Sequence, residues 1–131
     1  MTAKQRFRML IIRSVFVSAV LFAMAMAILP NPPEIPGQPT DKIQHIFAFT
    51  MLTGLARLAF PTTKNWILFT SLAAFGALIE LTQSIMGLGR DASILDWLAD
   101  CGAVAVTMFV MAAAGQMADP GRQMASSRKR V

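Results

Sequence analysis

Side chains that could take part in chemistry occur as three pairs, each within or beside an apolar stretch. The members of a pair are three or four residues apart, and this spacing places both on one face of a helix. Carboxylates, an imidazole and an amide that meet in space could bind a polar ligand or transfer protons. The pairs are Asp41 with His45, Glu80 with Gln83, and Asp96 with Asp100.

Three further polar residues belong to the same candidate site. Lys42 adjoins the first pair, and Arg90 and Ser93 lie between the second and third pairs. An ionised side chain at the centre of a membrane helix costs about 2.5–3.5 kcal/mol on insertion scales, so such residues usually have a pairing or functional reason. We therefore expect these groups to lie together at one depth.

Two interpretations of this set remain open from the sequence. In the first, the basic residues Lys42, His45 and Arg90 neutralise the carboxylates and hold the helices together as a structural lock. In the second, which we favour, the same residues line a polar pocket open to the outer leaflet. A stripe of small residues on the third helix, centred on Gly76 and Ala77, predicts that Glu80 and Gln83 face the bundle.

Metal and nucleophile chemistry have weaker signals. His45 with several carboxylates could hold a metal ion, but it is the only histidine and the ligands have no definite spacing. Ser84 or Ser93 with His45 lacks the sequence context of a nucleophile elbow. We therefore expect neither a metal nor a cofactor, and the sequence leaves open whether any reaction is catalysed.

Four apolar stretches must position the polar residues. Each has about the 20 residues that a helix needs to cross a hydrocarbon core of roughly 30 Å. Backbone groups in lipid must be satisfied within each segment, which favours helices. The predicted fold is an all-α membrane protein, a bundle of four transmembrane helices within residues 1–115. The predicted helices cover about residues 9–29, 43–60, 66–86 and 94–115.

Composition supports a membrane protein and excludes several other classes. The 131 residues suffice for one domain, 55% are hydrophobic and 15% are charged, against about 25% charged in soluble proteins. This composition excludes a disordered chain and argues against an ordinary soluble domain. The single cysteine, Cys101, excludes a disulfide framework within one chain.

The distribution of basic residues predicts the orientation. With the N-terminus inside, ten of the twelve lysines and arginines lie on the inner side, as the positive-inside rule requires. Both termini should then be cytoplasmic, with residues 116–131 forming a basic, flexible tail. A cleaved signal peptide is an alternative interpretation of the first stretch. Basic residues concentrated at the two chain ends argue against a nucleic-acid partner.

The motifs resemble those of a known family. Residues 41–49 carry Asp-Lys-x-x-His-x-x-x-Phe, residues 80–83 carry Glu-x-x-Gln, and residues 89–93 carry Gly-Arg-x-x-Ser, followed by Asp96. Together they resemble the VanZ-like family of small bacterial integral membrane proteins, over roughly residues 41–102. The resemblance implies a four-helix membrane protein with a polar site, and it does not imply antibiotic resistance. Asp100 departs from the family, which usually has asparagine there.

Two functions are consistent with this sequence. We favour a pocket in the bacterial cytoplasmic membrane that binds an anionic or polar envelope molecule, such as a membrane lipid or a lipid-linked precursor. The alternative is an accessory transmembrane subunit that packs against other membrane proteins, with the polar residues serving only as the lock.

Overall fold

The computed structural model describes residues 2–29, 41–86 and 93–117, without the side chains of Asp41, Met86 and Met117. Every element in these ranges is a helix, as the sequence predicts. The helices are α1 (Ala3–Ile28), α2 (Asp41–Ala59), α3 (Asn65–Met86) and α4 (Ile94–Met117). The predicted tail beyond Met117 lies outside the described residues.

The first helix begins at Ala3, earlier than its apolar stretch. Thr2 caps this start: its hydroxyl accepts a hydrogen bond from the Gln5 amide at 3.3 Å, and the Gln5 side chain accepts one from the Thr2 amide at 2.7 Å. This capping box satisfies two amides that a helix start otherwise leaves unpaired. Helix α1 therefore extends toward the N-terminus by about two turns beyond the apolar stretch that begins at Met9.

Three of the four described helices are long and apolar enough to cross a membrane. They are α1, α3 over Asn65–Ile85, and α4 over Ile94–Gln116. Helix α2 has 19 residues, and these include Asp41, Lys42, His45 and Arg57. It is therefore not apolar enough to count as a candidate membrane span. The chain is thus a candidate multi-pass membrane protein, and a fourth crossing and the orientation of the termini stay predictions.

Successive helices of the bundle run in opposite directions, and α2 and α3 lie between α1 and α4. Helices α2 and α3 contact each other and both outer helices, whereas α1 and α4 make no contact within the described ranges. Helix α2 buries one face along its whole length, as an amphipathic helix does. The buried residues of α2 are His45, Phe49, Leu52, Thr53, Ala56 and Ala59.

Large apolar side chains cover the outside of the bundle. Phe22, Leu21 and Phe109 are examples, each with about two thirds or more of its surface exposed. Soluble proteins rarely expose apolar patches of this extent. The outer surface therefore suits lipid, in agreement with the apolar character of the candidate spans.

A basic side chain of α1 contacts the end of α2. Arg13 Nε donates a hydrogen bond to the Ala59 carbonyl at 3.3 Å, and its guanidinium carbon lies 5.3 Å from the Phe60 ring centroid. The Ala59 carbonyl is among the last four of α2, which have no partner within the helix. Arg13 therefore fixes the level at which α1 meets α2, and α1 extends past this point through Ala3.

Candidate functional site

Seven of the nine predicted site residues have described side chains, and all seven lie at the same end of the bundle. We call this set the polar cluster; it lies where α1 and α3 end and α2 and α4 begin. Arg90 lies outside the described residues, as does the side chain of Asp41. The polar cluster comprises Lys42, His45, Glu80, Gln83, Ser93, Asp96 and Asp100.

His45 and Asp100 join α2 to α4 at the centre of the cluster. His45 Nδ1 lies 3.2 Å from Asp100 Oδ1 and 3.3 Å from Asp100 Oδ2. The Asp100 side chain is fully buried, with 0% of its surface exposed. A buried carboxylate is costly unless it is paired and hydrogen-bonded, so this contact accounts for an acid deep in the bundle.

Glu80 of α3 has a different environment for each of its carboxylate oxygens. Oε2 accepts a hydrogen bond from the Ser93 amide at 2.7 Å. Ser93 precedes α4 and caps it, since its hydroxyl accepts from the Asp96 amide at 3.3 Å. Oε2 thus lies at a helix N-terminus, where the helix dipole favours negative charge.

The other oxygen of Glu80 is buried without a donor. Oε1 lies 4.0 Å from His45 Nδ1, which is too long for a hydrogen bond. It has no hydrogen-bond partner among the described residues, although only 8% of the residue's surface is exposed. Because an unsatisfied buried acceptor costs about 1–3 kcal/mol, this oxygen marks a place where a binding partner would be favourable.

Gln83 connects the cluster to α1. Its amide Nε2 donates a hydrogen bond to the Ala27 carbonyl at 3.1 Å, and the side chain is buried. Helix α1 ends at Ile28, so this carbonyl is one of the last four of that helix. Gln83 therefore caps the end of α1 across a helix interface.

Lys42 and Asp96 form the outer rim of the cluster. Lys42 Nζ lies 3.8 Å from Asp96 Oδ1, with side-chain exposures of 48% and 18%. An exposed ion pair of this length contributes little to stability. The rim cation is therefore available to a second anion.

Two residues near the cluster were not assigned to it from the sequence. Trp97 donates a hydrogen bond from Nε1 to the Ala73 carbonyl at 2.9 Å. Gly76 contacts Asp100 so closely that a Cβ atom at residue 76 would lie 3.0 Å from Oδ2. The small-residue stripe gave a signal for Gly76, whereas nothing in the sequence distinguished Trp97 from a residue at the membrane surface.

The predicted inward face of α3 is correct for Gly76, Glu80 and Gln83 and wrong for Ala77. Glu80 and Gln83 are buried as expected. Ala77, assigned to the same face, is exposed. Leu72, which is not part of the stripe, is buried, because α3 packs against three helices and so buries more than one stripe.

One subset of the cluster has the donor atoms of a metal site. A ring nitrogen of His45 and one carboxylate oxygen each from Glu80 and Asp100 all lie within 4.8 Å of one another, and all three residues are buried. The sequence indicated His45 and carboxylates as candidate ligands but not which carboxylates, because the members of the set come from three different helices.

Comparison with known proteins leaves the family open. No family model, no curated protein and no solved structure matches this chain. The resemblance to the VanZ-like family therefore stays a prediction that rests on the motif residues themselves.

Proposed function

We propose that the chain is a four-pass membrane protein that binds an anionic or polar envelope molecule at the polar cluster. The ligand class is the head group of a membrane lipid or a lipid-linked precursor. The observation that carries this proposal is the gradient of exposure through the cluster. The Lys42 side chain at the rim is half exposed, the Asp96 side chain is 18% exposed, and the Asp100 side chain is fully buried.

This gradient matches a polar head group that enters from the membrane surface. The Lys42 ammonium would meet a phosphate or carboxylate, because its long contact with Asp96 can be exchanged for a stronger one. Deeper in the cluster, Glu80 Oε1 would accept a hydrogen bond from a hydroxyl or amine of the ligand. A lock alone needs neither an accessible cation nor an unsatisfied carboxylate oxygen.

The membrane position of the cluster follows from the predicted topology. If α2 crosses together with the three candidate spans, the cluster lies at one face of the membrane. The ten-to-two distribution of lysine and arginine assigns that face to the outside. The same distribution favours both termini inside, and the resemblance to the VanZ-like family of bacterial membrane proteins supports a bacterial cytoplasmic membrane.

Native mass spectrometry of the protein purified with its lipids tests the proposal. We expect one lipid or lipid-linked molecule per chain, and we expect Lys42→Gln to reduce its occupancy about tenfold, the effect of losing one charge-assisted contact. Lys64→Gln is the matched control, because Lys64 is also exposed but lies at the opposite end of the bundle. Absence of a stoichiometric lipid, or equal occupancy in both variants, would contradict the proposal.

The second candidate function is that of an accessory subunit of a membrane complex. It is favoured by the inter-helix hydrogen bonds, in which Gln83 binds α1 and Trp97 binds α3, as expected of a structural lock. The same mass-spectrometry experiment separates the two functions. A stoichiometric protein partner, together with lipid occupancy that Lys42→Gln does not change, would support the subunit.

A further inference from the structure

Three buried side chains, each from a different helix, bring their donor atoms together at the centre of the polar cluster. His45 comes from α2, Glu80 from α3 and Asp100 from α4. One imidazole nitrogen and two carboxylate oxygens lie within 4.8 Å of one another. We propose that these three residues bind one divalent transition-metal ion, with zinc the preferred ion.

The distances are close to those that a zinc site requires. With zinc–ligand distances of about 2.0–2.2 Å and tetrahedral angles, ligand atoms lie about 3.4 Å apart. His45 Nδ1 is 3.2 Å from Asp100 Oδ1 and 4.0 Å from Glu80 Oε1. A movement of about half an ångström by the Glu80 carboxylate would bring the Nδ1–Oε1 distance to this value, and no two of the three donor atoms are more than 4.8 Å apart.

The unsatisfied oxygen of Glu80 points to a ligand independently of the cluster's composition. Oε1 is buried and has no hydrogen-bond donor among the described residues, whereas Oε2 of the same carboxylate is held by the Ser93 amide. The Ser93 amide thus orients the Glu80 carboxylate. Residues that bind metal ions are commonly oriented in this way by a hydrogen bond from a neighbouring group. Oε1 is left to face His45, on the side where an ion would bind.

The donor set favours zinc over the hard cations. Calcium and magnesium prefer oxygen ligands throughout, whereas an imidazole combined with carboxylates suits zinc and related transition metals. Three protein ligands leave at least one coordination position for water or for an anionic oxygen, as in catalytic zinc sites. The ion would also compensate the two buried carboxylates, Glu80 and Asp100.

This proposal departs from the sequence-based expectation of no metal, and it goes beyond the proposed function. The sequence showed one histidine and no ligand spacing, because the three ligands are brought together only by helix packing. A bound ion would take the place of the ligand's hydroxyl or amine at Glu80 Oε1, but the metal site is tested separately: zinc uptake is measured on protein in detergent without added lipid. Failure of either experiment therefore leaves the other result intact.

Metal uptake by the full-length protein tests the proposal. Protein freed of metal with a chelator is titrated with Zn²⁺, and bound zinc is measured by elemental analysis after removal of free ion. We expect one zinc per chain, and at least a tenfold loss of affinity in Glu80→Gln and His45→Gln, since even outer-shell changes cost about 10–100-fold. Asp96→Asn is the matched control, because Asp96 belongs to the cluster but not to the three-residue set.

Co²⁺ binding gives a second readout that does not depend on affinity alone. We expect the absorption bands of low-symmetry, four- or five-coordinate cobalt with the wild type and with Asp96→Asn, and their loss in Glu80→Gln. Glu80→Gln keeps an amide oxygen for the Ser93 amide, so we expect it to stay folded, as checked by its helical circular dichroism. Folded wild type that takes up no stoichiometric Zn²⁺ would overturn the proposal, as would equal uptake by Glu80→Gln.

Discussion

Gly76 of α3 lies so close to Asp100 of α4 that a Cβ atom on residue 76 would be 3.0 Å from Asp100 Oδ2. The same atom would lie 3.3 Å from Phe49 Cζ and 3.4 Å from Trp97 Cδ1. Without a side chain at residue 76, the two helices can approach closely, as small residues allow in membrane bundles. The position of the buried carboxylate thus depends on a glycine in the neighbouring helix.

Gly76→Ala should therefore destabilise the protein. Alanine is better than glycine inside a helix by about 0.5–1 kcal/mol, but crowding in a well-packed interior costs about 1–3 kcal/mol. Asp100 cannot move away without disturbing its contact with His45. We expect a lower melting temperature in detergent.

Gly54→Ala is the control for this change. A Cβ atom on Gly54 would meet no described atom within 4 Å, so the substitution should leave stability equal or raise it. If Gly76→Ala were as stable as Gly54→Ala, the close packing of α3 against Asp100 would be contradicted.

Gln83→Leu should remove the cap from the end of α1. The substitution keeps a side chain of similar size but leaves the buried Ala27 carbonyl without its donor, at a cost of about 1–3 kcal/mol. Thr82→Val is the neighbouring control, because the Thr82 hydroxyl bonds only to Leu78 of its own helix among the contacts described. Thermal unfolding of both variants in one detergent checks the difference, and equal melting temperatures would count against the cap.

Trp97→Phe should loosen the contact between α3 and α4. It deletes the hydrogen bond to the Ala73 carbonyl and keeps an aromatic ring, and a loss of about 0.6–1.5 kcal/mol is expected for a bond of this kind. Trp66→Phe, at a residue with 65% of its surface exposed, should change stability less. An equal decrease in melting temperature for the two variants would argue that Trp97 acts only through its apolar area.

Arg13→Met should weaken the junction of α1 with the end of α2. The change removes the hydrogen bond to the Ala59 carbonyl and the contact with the Phe60 ring, together about 1 kcal/mol. Arg8→Met removes a charge from the same helix at an exposed residue and should have almost no effect. If Arg8→Met destabilised the protein as much as Arg13→Met, the loss of a positive charge, and not the loss of the contacts of Arg13, would explain the effect.

The sequence predicted which residues belong to the site better than it predicted the contacts that these residues make. Helical spacing placed Glu80 and Gln83 on one face, and the polar pairs were expected at a common depth, as found for His45 and Asp100. The partners of Gln83 and Gly76 were not predicted, because they depend on the rotation and axial position of each helix against its neighbours. Such positions are set by packing of whole surfaces, which one sequence does not reveal.

Helix α2 shows a second limit of sequence patterns. Its apolar stretch led to the prediction that α2 crosses the membrane like the other three helices. Of the four described helices, however, α2 is the one that is not apolar enough to be a candidate span. Burial explains how a helix with His45 and Thr53 is accommodated, because these side chains face the other helices. Hydropathy alone cannot separate a helix shielded by protein from one shielded by lipid.

The position of α2 also bears on the order of events during synthesis. Helix α2 leaves the ribosome after α1 and before α3 and α4, so His45 is made before its carboxylate neighbours, Glu80 and Asp100. Until those helices follow, α2 has neither its polar partners nor most of its protein surroundings. We expect α2 to pack in its final place only once α4 has been synthesised, so the polar cluster cannot be complete before the last helix is present.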